Sequence, residues 1–153
     1  MKLMSALAAV VALGCAPLAG ALAADPPKPT SPAKGPKTNF IDHSSRALID
    51  EATAKKLMDD NIPARVWKVY PAAQYVFVSQ VEGGMTAAGI CVVTARTMLM
   101  TITPAMKAPL FRPQKTTTAF DAQPGATGEQ CKTLARDKLV EATKAIVTSL
   151  VKT

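Results

Sequence analysis

The cysteines are the residues whose spacing says most about chemistry in this 153-residue chain. Cys91 and Cys131 lie 40 positions apart (131 − 91). Pairs that cycle between thiol and disulfide typically form a short Cys-x-x-Cys motif instead. The third cysteine, Cys15, lies in an apolar N-terminal stretch. The sequence therefore predicts a structural disulfide between Cys91 and Cys131, which contributes on the order of 3–4 kcal/mol to stability.

Few other side chains are of the types that catalysis or metal binding requires. His43 is the single histidine, and no nucleophile motif such as Gly-x-Ser-x-Gly accompanies it. The carboxylates between residues 50 and 60 lie among lysines, as on a solvated helix face. Met98 and Met100 present thioethers, which exported copper proteins use, but no histidine stands near them in sequence. Methionine is also an ordinary strand residue, so no catalytic residue, metal or cofactor is predicted.

The N-terminus has the layout of an export signal. Lys2 precedes an apolar run, and Ala21-Leu22-Ala23 places small residues where signal peptidase cleaves. Gly14, Pro17 and Gly20 interrupt the run, which is unlike a membrane span. We expect residues 1–23 to be a cleaved secretory signal and the protein to be periplasmic or secreted. A lipoprotein anchored at Cys15 is the alternative, disfavoured because the residues after Cys15 stay apolar.

Charge and composition exclude some partners. The 18 basic and 11 acidic residues give a net charge of +7, but the basic residues are dispersed and do not alternate with aromatics, so nucleic-acid binding is not predicted. Residues 24–37 are rich in proline and lysine and form a predicted disordered tail. Residues 38–153 are then a single domain, with no transmembrane segment in the mature chain.

Hydrophobic periodicity and turn signals divide this domain into six elements. A helix is predicted from Ser44 or Ser45 to about Asn61, and a last helix begins at a capping box, Thr127 with Gln130. Gly83-Gly84 reads as a hairpin turn, and three prolines predict a loop over residues 104–114. The predicted strands are residues 65–70, 74–82, 87–103 and 116–120. The expected fold is α+β, in the order α-β-β-β-β-α: a four-stranded antiparallel sheet with two helices packed on one face and one disulfide.

This arrangement leaves one sheet face without helices. If Cys91 faces the helices, side-chain alternation turns Val92, Met98 and Met100 to the other face. A turn at Gly83-Gly84 adds Tyr75 and Phe77 to that face. Large exposed apolar patches mark interaction sites, and the predicted loop supplies further apolar residues beside Lys107 and Arg112. The predicted partner surface consists of Tyr75, Phe77, Val92, Met98, Met100, Met106, Leu110 and Phe111.

The leading interpretation is a small exported envelope protein that binds without catalysing a reaction. Its expected partner is another envelope protein or an anionic lipid surface. In the alternative interpretation, the same apolar face is covered by the proline-rich tail, by the predicted loop or by a second copy of the chain. An inhibitor or immunity-type role belongs to the same class, and a small exported hydrolase with an unrecognised active site is the rival function.

The first testable prediction concerns processing. Cleavage after Ala23 leaves a chain that begins at Ala24, without lipid. The intact mass of the protein recovered from the envelope or the medium measures this directly. A mass that begins at Cys15 and carries acyl chains would contradict the prediction and place the protein on a membrane.

Overall fold

The computed structural model describes residues 38–103, 105 and 108–151, without the side chain of residue 111. The predicted signal and tail lie outside the described residues. The described chain contains a four-stranded sheet in the order β1-β2-β3-β4 and three helices. The elements, in chain order, are β1 (Phe40–Asp42), α1 (Glu51–Asn61), α2 (Ala64–Val69), β2 (Tyr75–Met85), β3 (Ile90–Thr103), β4 (Ala108–Pro124) and α3 (Gly128–Leu150).

The fold is α+β as predicted, although one strand pair is parallel. β2, β3 and β4 are antiparallel neighbours, whereas β1 lies parallel to β2 at the sheet edge. No described helix is long and apolar enough to cross a membrane.

All three helices pack against one side of the sheet, here called the helix face. On β3 this face carries Cys91, Val93, Ala95, Thr97 and Leu99, each of which is 0% exposed. One part of the core joins the start of β3 to Ala54 of α1 and to Ala135 and Leu139 of α3. The other part joins Leu99 and Phe77 to residues of all three helices, among them Met58, Trp67 and Ile146.

The last helix is fastened to the sheet as the sequence predicts. Cys91 and Cys131 form a disulfide, with their Cα atoms 5.6 Å apart. Thr127 caps α3 by accepting from the backbone N–H of Gln130, whose side chain accepts from the N–H of Thr127 in return. Farther along, the buried hydroxyls of Thr97 and Thr143 lie 3.2 Å apart and link β3 to α3.

The first predicted strand, residues 65–70, is wrong: these residues lie mostly in α2. Their β-branched and aromatic composition favours a strand, but the segment is helical and buries Val66 and Trp67. The Trp67 ring packs edge to face between Phe40, at 5.5 Å, and Phe77, at 5.3 Å between ring centroids. Tertiary packing of Trp67 thus overrides the local preference for a strand.

The first helix begins later than Ser44 or Ser45. Its N-cap is Asp50, whose carboxylate accepts from the backbone N–H of Thr53 at 2.8 Å. Ser44 serves the sheet instead, because its hydroxyl donates to Asp42 at 2.6 Å and accepts from the N–H of Val81 at 3.0 Å. The predicted end of the helix at Asn61 is correct.

The predicted hairpin turn at Gly83-Gly84 is also wrong, since both glycines lie within β2. The turn comes later, between Thr86 and Gly89, where the N–H of Thr86 donates to the carbonyl of Ile90 at 2.8 Å. Gly83 is needed for a close approach of strands: a Cβ there would lie 2.0 Å from the carbonyl oxygen of Val92. Its φ of +122° is also one that other residues rarely adopt.

The predicted loop over residues 104–114 is a strand from Ala108 onward. β4 runs through the predicted short strand 116–120 and extends to Pro124. It is an edge strand, where proline is tolerated because the missing N–H faces away from the ladder. Pro109 and Pro113 pair with Ile102 and Met100, beside shifts in the register of β3 with β4.

The disulfide yields the second testable prediction. Cys91→Ala/Cys131→Ala should lower the free energy of unfolding by about 3–4 kcal/mol, because the unfolded chain regains the entropy of an open loop. Urea unfolding of the oxidised protein and the double variant measures the difference. Equal stabilities would show that α3 docks on the sheet without help from the crosslink.

Candidate binding face of the sheet

The opposite side of the sheet, here called the second face, carries no described helix. Along β3 its residues alternate with the buried ones, and except for exposed Arg96 they are half-buried. They are Ile90, Val92, Thr94, Arg96, Met98, Met100 and Ile102. Val76 and Val78 of β2 lie on the same face and are 1% and 2% exposed. Phe120 of β4 pairs with Thr94 and is 61% exposed, which makes it a large apolar side chain available to a partner.

A concave pocket of about 420 Å³ lies on the second face. It is lined by His43, Val78, Met98, Met100, Pro109 and Pro113. Strand pairing explains the grouping, because Val78 is directly opposite Met98, and Met100 is opposite Pro113. The lining is apolar except for one imidazole, a composition common among ligand-binding clefts.

The histidine reaches this pocket because β1 joins the sheet. Ile41 pairs with Val78, and the backbone N–H of His43 continues the ladder by donating to the carbonyl of Ser79 at 2.9 Å. His43 is two residues after Ile41, so it shares the second face. The positions of His43, Met98 and Met100 in the sequence do not predict that they line one pocket. The alternation in Phe40-Ile41-Asp42 was the only local sign of a strand before it.

Tyr75 and Phe77 do not belong to the second face, contrary to the prediction. They pair with Thr101 and Leu99, on the helix face. Phe77 is 0% exposed, and Tyr75 packs against the same part of the core. The cause is the misplaced turn. Moving it from Gly83-Gly84 to residues 86–89 shifts the register by an odd number of residues, which exchanges the two faces of β2.

The structure places the other predicted surface residues as follows. Val92, Met98 and Met100 lie on the second face and are half-buried. Leu110 lies in β4 and is 44% exposed. Phe111 is also in β4, but its side chain and the whole of Met106 lie outside the described residues. Whether these residues contact a partner stays a prediction.

Most of the shifted pKa values belong to groups in ion pairs, whereas the pKa of Asp50 is lowered by its hydrogen bonds from Thr53. The ammonium of Lys138 lies 2.8 Å from Glu141 and 3.1 Å from Asp121, which links α3 to β4. The hydrogen bond from Lys138 lowers the pKa of Asp121, while Glu141 and then Asp121 raise the pKa of Lys138. In the part of the chain that the structure describes, no three His, Cys, Asp or Glu residues converge on one point.

Comparison with known proteins gives weak likenesses. No family model matches the chain. No curated protein matches it either. Among solved structures, a PelC dodecamer from Paraburkholderia phytofirmans is 11% identical, with 70% of this chain and 84% of that chain covered and a TM-score of 0.37.

Two further structures have similar scores. A "putative lipoprotein" from Caulobacter crescentus CB15 is 15% identical, with coverages of 74% and 86% and a TM-score of 0.41. A DUF330 protein from Xanthomonas campestris is 12% identical, with coverages of 78% and 88% and a TM-score of 0.37. With TM-scores under 0.5, these likenesses carry no inference about function.

The two faces make a paired prediction about stability. Phe77→Asp should unfold the protein, because the cost of burying a carboxylate in the core exceeds the small free energy of unfolding of a domain of this size. Phe120→Asp should change the free energy of unfolding by less than about 0.5 kcal/mol, as exposed substitutions usually do. Circular dichroism and urea midpoints compare the two. A folded Phe77→Asp variant would refute the pairing of Phe77 with Leu99 on the helix face.

Proposed function

We propose that this protein is an exported binding protein that works without catalysis and docks a protein partner on the second face. The observation that carries the proposal is the division of the sheet. Three helices pack on the helix face, while the second face presents half-buried Met98 and Met100 and the exposed ring of Phe120. An exposed aromatic ring beside half-buried apolar side chains is typical of interaction sites.

Export is supported by two independent features. The first is the secretory layout of residues 1–23 in the sequence. The second is the disulfide between Cys91 and Cys131, since structural disulfides persist in oxidising compartments such as the periplasm or the extracellular space. Both favour a periplasmic or secreted protein.

The absence of catalysis is part of the proposal and is supported by the way polar groups are used. Asp42 accepts from the hydroxyls of Ser44 and Ser79, at 2.6 and 2.5 Å, and so orders the β1 edge. Asp50 caps α1, and Asp121 pairs with Lys138. Each of these three carboxylates has a structural partner, so none of the three serves as the acid or base that the hydrolase alternative needs.

The proposed occupant is a protein with an apolar docking surface. The exposed part of the second face includes Phe120, and aromatic rings are enriched where one protein contacts another. Leu110, 44% exposed, lies on the same edge strand, and Arg96 adds an exposed cation to the second face. An aromatic anchor with a nearby arginine is a composition typical of interface hot spots.

A second copy of the chain is the competing occupant, favoured by the free edge of β4. Two β4 strands that pair antiparallel about Thr118 would set Lys115 of one copy opposite Asp121 of the other. The same register places Phe120 opposite Thr116 on the second face. This edge carries no proline between Pro113 and Pro124, so its backbone donors are free to pair.

A photo-crosslinking amino acid at position 120 tests the proposal in cells that export the protein. We expect a covalent adduct with a distinct protein, identified by mass spectrometry. The same residue at position 69 is the matched control, because Val69 is 57% exposed but lies on α2. Arg96→Glu in the same background should reduce the adduct at position 120, because Arg96 is exposed on the same face and pairs with Thr118, two residues from Phe120.

The remaining outcomes discriminate among the alternatives. An adduct of twice the chain mass that contains only this chain would support the β4 dimer and contradict a distinct partner. Equal adducts at positions 69 and 120, or crosslinking to lipid alone, would overturn the docking proposal.

A further inference from the structure

We propose that the protein partner docks by adding an extended strand to the outer edge of β4, the last strand in the order of the described sheet. The inference rests on the proposed function for the existence of a protein partner, and it adds how that partner is bound. An edge strand presents a row of backbone N–H and C=O groups, which recognise another strand. The proposed occupant is therefore an extended segment of a different protein.

Backbone hydrogen bonds identify the residues of β4 that turn these groups outward. At the end of the β3–β4 pair, the N–H of Gly125 donates to the carbonyl of Gly89 at 3.0 Å, and the register is unbroken from there to Lys115. Because hydrogen-bonded and non-hydrogen-bonded pairs alternate in an antiparallel ladder, the odd-numbered residues of β4 bond to β3. The even-numbered residues from Thr116 to Ala122 therefore direct their N–H and C=O groups to the outer edge.

The same even-numbered residues carry their side chains on the second face. Thr118 pairs with Arg96, and Phe120 pairs with Thr94. A strand added beside β4 would extend the second face sideways, and its residue opposite Phe120 would contact the exposed ring. The expected segment alternates in polarity and has an aromatic or β-branched side chain at that position.

The two edges of the described sheet are protected unevenly. β1 is three residues long, and very short edge strands resist further pairing. In β4, Pro109 and Pro113 lie beside register shifts, and Pro124 ends the strand. Proline and irregular register are devices that block an edge, so β4 is blocked at both ends and open between them.

The open part of the β4 edge has the length of one short strand. The N–H of Ala122 is already bonded to the carboxylate of Asp121, at 2.8 Å. Among the described residues, the outward N–H groups that remain for a partner are those of Thr116, Thr118 and Phe120. They span about five residues, which is the commonest length of a strand.

A second copy of the chain suits this edge less well than a different protein. Thr117 of β4 donates to the carbonyl of Ala142 at 2.6 Å, which places α3 above the middle of β4. Glu141 shares Lys138 with Asp121 of β4, so it lies on the flank of α3 near this edge. A symmetric pair of β4 strands would bring Glu141 of one copy towards Glu141 of the other. Like charges that face each other across an interface oppose association.

Proline substitution at an outward position tests strand addition in cells that export the protein with the photo-crosslinking amino acid at position 120. Thr118→Pro removes one outer N–H and leaves the bonds between β3 and β4 in place, as edge prolines do. We expect the adduct with the partner protein to be lost. Thr118→Val is the conservative counterpart, because it keeps the N–H and the β-branched shape, and it should restore the adduct. Urea midpoints of the purified variants verify that both are folded.

Amide hydrogen exchange, followed by NMR on the isolated exported protein, tests the open edge without a partner. The N–H groups of Thr116, Thr118 and Phe120 should exchange rapidly. Those of Thr117 and Ala119 should exchange slowly, because they bond to β3. Slow exchange of the outer N–H groups would show that the edge is already paired and would overturn the proposal. Loss of that protection on dilution would identify a second copy as the occupant.

The crosslinking outcomes separate strand addition from the proposed function. An undiminished adduct in folded Thr118→Pro would overturn strand addition and leave docking on the second face in place. Absence of any adduct at position 120 in the protein that retains Thr118 would overturn the proposed function, and strand addition with it.

Discussion

The bond between Cys91 and Cys131 is the constraint on which the other contacts of the sheet depend. It joins β3 to α3, so the odd-numbered residues of β3 must face the helices. Five of these residues are then completely buried. The same alternation turns the even-numbered residues of β3 to the second face. The position of one cysteine thus determines which side chains build the core and which are left for binding.

The parts of the fold that depend on local spacing could be predicted from the sequence. The disulfide, the capping box at Thr127 and the central strand were of this kind, because each is specified by residues a few positions apart or by composition. The start of α1 could not be predicted in the same way. Ser44 has the chemistry of a helix cap, but its hydroxyl bonds to Asp42 and Val81 in the sheet.

The candidate site was only half predictable for a related reason. Met98 and Met100 could be placed on the second face, because alternation along one strand is a local property. Phe77 could not be assigned to the correct face, because its face depends on the position of the turn. The glycine pair that resembles a turn lies within β2, where Gly83 allows β2 to approach Val92 of β3 closely. His43 joins the methionines through the parallel pairing of β1 with β2, a non-local contact that no short motif specifies.

The second face has two distinct parts. The pocket with His43 and the methionines lies beside Val78, whereas the exposed aromatic ring of Phe120 belongs to the edge strand. A partner on Phe120 would cover the free edge of β4. Each can be removed by substitution without disturbing the helix face, because neither set of residues contributes to the core around Leu99 and Leu139.

A scan of aspartate substitutions along β3, with urea unfolding of each variant, tests the division of the sheet most directly. The account predicts a strict period of two. Substitutions at Val93, Ala95 and Leu99 should unfold the protein, whereas those at Val92, Thr94 and Met98 should leave it folded with modest losses. Equal losses at adjacent positions would show that the second face is also core, and would contradict the assignment of binding to that face.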